Sequence, residues 1–200
     1  NRVINQSNQI DDNFDVYSYG NKLYFEGVVN RKSINRLQKE LNNINENINK
    51  INLDQIEKKN GQKVDHIDFY ISSGGGSLFD GLRASNILNK NSFPIRAFVH
   101  RAFSAATIMA LSCKKVFAYD NSIFMIHNLS QVNISGNFRE LQDNHFNNKL
   151  LTDYLYIFYK KEAEKRDGKL TQETLDKLMY SDRYLLANEA KTLGFIDEII

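Results

Sequence analysis

The 200-residue chain has one cysteine, one proline and no tryptophan. With Cys113 as its single thiol, no disulfide can form within one chain, and no covalent staple supports the fold. A lone cysteine suits a reducing compartment. The expected location is therefore cytoplasmic, or an organelle matrix if a leader was removed ahead of Asn1. No apolar run reaches membrane-spanning length, and the opening "NRVINQSNQIDDNF" has no apolar signal core, so no membrane association is expected. Basic blocks are missing too. Lys and Arg number 26 against 24 Asp and Glu, and a net charge of +2 is too small to favour nucleic acid. There is no G-x-x-x-x-G-K-[ST] phosphate loop and no G-x-G-x-x-G that can be placed between a strand and a helix. What remains is an ordinary globular composition, 42% hydrophobic and 25% charged, long enough to bury a substantial core as one domain over 1–200.

Residues 1–13 are polar and expected to be mobile unless a partner orders them. "KLYFEGVV" (22–29) reads as a strand. From Ile34, apolar residues recur at Leu37, Leu41, Ile44, Ile48 and Ile51, in alternating steps of three and four that make one helical face. The Asn-rich half of that pattern, within 42–63, predicts a projecting helix and loop that ends in a turn at Asn60-Gly61. "HIDFYIS" (66–72) is the next strand, followed by "SGGGS" and a helix over about 77–90. Pro94 precedes a strand at 95–100. A buried helix then starts at Ser104, with strands at 115–119 and 123–127. This strand–helix alternation with short connections predicts an α/β layered domain with a largely parallel sheet.

Beyond that the rhythm changes. "NLSQVNIS" alternates weakly, as an exposed strand would. A helix over about 137–166 spreads Phe138, Leu141, Phe146, Leu150, Leu151, Tyr154, Leu155, Phe158 and Tyr159 over a face too broad for one small sheet to cover, so other subunits are the expected cover. Short helices are predicted at 171–180 and 188–193, the latter stopped by Gly194, and "FIDEII" closes the chain as a strand.

Serine-based acyl transfer needs a hydroxyl, a base to take its proton, a carboxylate to hold that base, and backbone donors for the oxyanion. Ser104, in "FSAATIMALSC", stands where a strand turns into an apolar helix, a joint that can expose Oγ above a sheet; it is equally placed to be a plain helix cap. His127 ends the strand "IFMIH" and can be a base or a hydrogen-bonded structural residue. His66 and His145 compete with it, and His100 stays as a second candidate. The glycine run 74–76 joins a strand to a helix and suits a phosphate cradle, an oxyanion loop or a tight turn. Asp182 lies in a polar turn and is, by itself, one acidic residue among 24.

Taken in order, "ISSGGGSLFDGL", "HRAFSAA", "NSIFMIH" and "SDRYLLANEAKTLGFID" resemble the Clp protease proteolytic subunit (ClpP) family of self-compartmentalising serine peptidases, and "FDVYSYGNKLYFEG" resembles its opening stretch. The likeness extends over roughly 14–200. It implies a crotonase-like layered β-α superhelix in which 128–166 forms a protruding strand–helix handle between stacked rings. It implies Ser104 as nucleophile, His127 as general base and Asp182 as its orienting carboxylate. The N–H groups of Gly76 and Ala105 would form the oxyanion hole, with Gly75, Ser77, Asn128 and Leu129 binding substrate. A polypeptide substrate, a homo-oligomer of usually seven-membered rings and an ATP-driven unfoldase partner belong to that picture; a metal or cofactor does not.

Departures from the family pattern accompany these matches. His100 and Phe103 replace small residues before the nucleophile, predicting a bulkier, more polar substrate-side wall. Gly74 stands for the usual proline, and Asn128-Leu129 for the common Gln-Pro. The short span from Ser104 to His127 resembles ClpP-related proteases of phages and prophages. The Asn-rich insertion falls where it could obstruct or replace an unfoldase docking surface, which leaves ATP dependence open. Three other readings stand beside the peptidase: a catalytically silent scaffold or regulatory ring subunit, an acyl-CoA enzyme of the crotonase fold, and a phage capsid-maturation protease.

Overall fold

The computed structural model describes residues 13–58, 63–129 and 137–200. Three expectations lie wholly or mostly outside them: the mobility of residues 1–12, the turn at Asn60-Gly61 and the exposed strand "NLSQVNIS" (128–135), of which only Asn128 and Leu129 are described, outside any strand. The described elements, in chain order, are β1 (Phe14–Tyr19), β2 (Lys22–Gly27), α1 (Arg31–Lys58), β3 (Ile67–Ser73), α2 (Leu78–Asn89), β4 (Ile95–Phe103), α3 (Ala105–Leu111), β5 (Lys115–Met125), α4 (Phe138–Glu164), α5 (Gln172–Tyr180), β6 (Tyr184–Leu186), α6 (Ala187–Thr192) and β7 (Glu198–Ile199).

One sheet runs β1-β2-β3-β4-β5-β6, with β7 also on β5. The four central strands pair in parallel, β1 joins β2 antiparallel, and β6 joins β5 antiparallel. Parallel strands need helical crossovers, and α1, α2 and α3 supply them. The sheet's inner residues, among them Phe25, Phe69, Ile71, Val99 and Phe124, are at most 0% exposed and meet the apolar faces of those helices. The alternate positions carry a ladder of stacked rings, Tyr17, Tyr24, Tyr70, Phe98 and Phe117, with neighbouring centroids 4.8–5.1 Å apart.

Two expectations change here. The Asn-rich half of α1 is continuous helix, and its apolar face stays in the core through Ile44 and Ile48, each 1% exposed; only from Ile51, at 42%, does it face solvent. The two strands expected at 115–119 and 123–127 are one strand, β5. Asp120-Asn121 reads as a turn, but the buried Ser122 hydroxyl stitches across it. Its Oγ accepts from the Tyr119 N–H at 2.8 Å and donates to the Val99 carbonyl at 2.6 Å. The register with β4 shifts at this point, between Val99 and Arg101. One half of β5 pairs with β7 and the other with β6, so the strand reaches the far end of the sheet where His127 follows it.

The α4 helix opens with an Asn137–Glu140 capping box. Leu155, Tyr159 and Ala163, towards its C-terminal end, are buried, whereas Phe138, Phe146, Leu150 and Ile157 are exposed. No helix among the described residues is long and apolar enough to cross a membrane.

Candidate active site

Strands β4 and β5 run in parallel, and the last paired residues, Phe103 and Met125, stand side by side. That register is what brings together Ser104, one residue past the first, and His127, two past the second. Ser104 has φ 54° and ψ −122°, a backbone region that L side chains occupy at a cost of about 1–3 kcal/mol. Its N–H donates to the Met125 carbonyl at 2.8 Å, and its own carbonyl accepts from Thr107 N–H at 3.0 Å. Thr107 reinforces the turn from below. Its buried Oγ1 lies 2.6 Å from Ala102 O and 2.9 Å from Met125 O, sharing one proton between the ends of β4 and β5.

Although Ser104 occupies the cap position of α3, its side chain makes no capping bond. Oγ is instead 2.8 Å from His127 Nε2. On the other ring nitrogen, His127 Nδ1 lies 3.3 Å from Asp182 Oδ1, the imidazole side chain being 19% exposed and the carboxylate 79%. The residue after the histidine is anchored as well: Asn128 N–H donates to the Met179 carbonyl at 2.9 Å, and Asn128 Oδ1 accepts from Thr152 Oγ1 at 2.8 Å.

The glycine run closes the opposite side. Gly75 (φ 90°) packs so tightly behind the turn that a Cβ there would lie 2.5 Å from Phe103 O and 2.8 Å from Ser104 Cβ. Gly76 (φ 148°) forms a parallel bridge to Val29, in which Gly75 O accepts from Val29 N–H and Ser77 N–H donates to Val29 O, both at 2.8 Å. In that pattern the flanking residues bond the neighbour, so the exposed Gly76 keeps its own N–H for the other side. Ala105, the first residue of α3, likewise precedes the helix's internal bonds. The Ser77 hydroxyl caps α2 by accepting from Asp80 N–H at 3.3 Å.

A cavity of about 250 Å³ lies between these parts, lined by Gly76, Ser77, Leu78, Ser104, Ala105, Ile108, His127, Asn128, Leu129, Leu155 and Tyr159. Gly75 is behind the Ser104 turn rather than in this wall. The bulkier wall expected from His100 and Phe103 is corrected: neither lines the cavity. His100 stacks on Tyr119 at 4.5 Å, and Phe103 turns away onto Tyr184 at 5.0 Å. The other histidines are elsewhere. His66 pairs with Asp65 at 2.6 Å, and His145 borders a separate recess on α4. Burial pushes the Cys113 thiol up in pKa, far from a reactive thiolate. Thr107, Leu155 and Tyr159 are site residues that sequence reasoning passed over. Thr107 offered a signal, as a polar residue inside an apolar helix. Among the described residues no group of three or more His, Cys, Asp or Glu could hold a metal.

Chemically, a hydroxyl at hydrogen-bond distance from an imidazole, with a carboxylate on the other nitrogen and amide donors opposite, can deprotonate, attack a carbonyl and hold the resulting oxyanion. Among curated proteins nothing matches the chain. Among solved structures, a point mutant of ClpP1 from Listeria monocytogenes matches with a TM-score of 0.69 at 18% sequence identity, over 90% of this chain and 91% of that one. That likeness establishes the fold, a ClpP-like α/β architecture. The Clp protease family model matches residues 56–200, from the end of α1 to the C-terminus, and the chain therefore belongs to the Clp protease family.

Proposed function

We propose that this chain is a serine endopeptidase in which Ser104 attacks the scissile carbonyl of a polypeptide. His127 Nε2 takes the Oγ proton as the bond forms and passes it to the departing amine; water then releases the acyl group by the same route in reverse. Asp182 orients the imidazole and stabilises its charged form, and the N–H groups of Gly76 and Ala105 receive the oxyanion. The observation that carries this reading is the 2.8 Å contact between His127 Nε2 and a Ser104 Oγ held in a strained turn and not used as a cap. A fluorophosphonate probe should label the wild type and spare Ser104→Ala; equal labelling of both would overturn it.

Assembly is a second part of the proposal. Phe138, Phe146, Leu150 and Ile157 remain exposed on α4, an arm whose apolar surface needs a partner. Copies pairing through it, in the stacked rings that the family resemblance suggests, would enclose the sites in a chamber. Native mass spectrometry should find an oligomer, and a monomer at micromolar concentration would count against the chamber.

The exposed carboxylate of Asp182 favours one rival, a scaffold subunit that keeps the fold without turnover. Casein and peptide hydrolysis that disappears in Ser104→Ala would exclude the scaffold.

A further inference from the structure

One wall of the cavity beside Ser104 has no part in the proposed chemistry. Leu78, Ile108, Leu129 and Leu155 make it apolar, and Tyr159 completes it. Tyr159 is 1% exposed, with its ring centroid 5.4 Å from that of Phe158 and 6.0 Å from that of Phe195. No described residue hydrogen-bonds its hydroxyl. The open space that Tyr159 borders is the cavity. Buried phenol hydroxyls ordinarily find a hydrogen-bond partner. One with no described partner, on a ring that borders this cleft, points to a partner that comes with the substrate.

We infer that Tyr159 determines specificity: its hydroxyl donates to the tip of the substrate side chain preceding the scissile bond. It selects unbranched, uncharged side chains that end in an acceptor, of the glutamine kind, over aliphatic chains of equal length. This rests on the serine-peptidase reading above. An aliphatic tip would strip water from the hydroxyl and return no bond, whereas an amide oxygen replaces the bond that is lost. Charged tips are disfavoured, because this wall supplies no counter-charge. Burial also holds the phenol well above its ordinary pKa, so it remains a neutral donor. At about 250 Å³ the cavity is smaller than sites for drug-sized ligands, about 300–1,000 Å³, and suits a single side chain.

The test uses the full chain and two peptides that differ only in glutamine or norleucine before the scissile bond. Tyr159→Phe keeps the ring and its packing. It should lower the glutamine-to-norleucine ratio of kcat/KM by about tenfold or more, with the norleucine peptide gaining in absolute rate. An unchanged ratio, or an equal fall for both peptides, with cleavage still abolished by Ser104→Ala, would overturn the role of Tyr159 and leave the peptidase standing. If neither peptide, nor casein, is cleaved in a Ser104-dependent way, the peptidase reading itself falls and this inference goes with it.

Discussion

The two sides of the His127 ring are held very differently. Towards Ser104, everything is anchored in the sheet: the turn is fixed by Met125 O and Thr107, and the segment leaving His127 is tied to α5 through Met179 O. Towards Asp182, the chain is a solvent-facing turn between α5 and β6. The Asp182 side chain is 79% exposed, and among the described residues the side chains beside it make surface contacts, Ser181 Oγ to Lys177 O and Arg183 to Glu189. The proposed nucleophile and base are therefore placed by the core, and the carboxylate by a surface loop. A preorganised group contributes most where water cannot compete with it, so the two sides should differ in what their removal costs.

The largest effect should come from Ser104→Ala, which takes away the proposed bond-forming atom. Peptide turnover should fall by at least about 10³-fold, to the residue left by binding and the oxyanion donors. Next comes Gly76→Ala. A Cβ there would sit 2.2 Å from Val29 O at a φ of 148°, so the loop must move and take its amide with it. Loss of one oxyanion donor costs about 10²–10³-fold in kcat, and a loss below tenfold would remove Gly76 from that role. Asp182→Asn should cost less, about 10–100-fold, against about 10⁴-fold for a buried triad aspartate. A fall matching that of Ser104→Ala would break the contrast, and would show that the turn closes over His127 in the working enzyme.

Much of the core-anchored side was legible in the sequence. The spacing from Ile34 to Ile48 announced α1, and Ser104 and His127 stood at the ends of readable strands. Their proximity was not legible, because it depends on parallel β4–β5 pairing in a register that is shifted at the Ser122 stitch. Periodicity states that a strand exists and says nothing about what lies opposite each residue. Asp182 was invisible by its own chemistry, a single acid in a polar turn, and only the ordered resemblance of four motifs singled it out. Tyr159 was hidden for the reverse reason: an aromatic on an amphipathic helix reads as packing, and only the cavity reveals that it borders the candidate site.

A second aspartate sharpens the comparison with the smallest effect on turnover. Asp197, at the other end of β5, is 15% exposed in its side chain. It accepts from Lys115 Nζ at 2.8 Å, Val116 N–H at 2.8 Å and Arg166 Nε at 2.9 Å. Burial is the largest single influence on its carboxyl and raises the pKa, but these three donors together outweigh it and hold the group below the usual carboxylate range. A depressed folded-state pKa means stability that is present above the unfolded value and lost as pH falls through the folded one. Asp197→Asn should therefore lower unfolding stability at pH 7 by about 1–3 kcal/mol. Urea midpoints of the two proteins should draw together as the solution is acidified below pH 4, where the wild type loses the same charge. Turnover per folded site should hardly change, since Asp197 lies far along β5 from His127. If Asp182→Asn showed the same acid-sensitive loss of stability, the carboxylate beside His127 would be part of the fold's ionic framework, and the distinction between a core-held and a loop-held side of the imidazole would no longer stand.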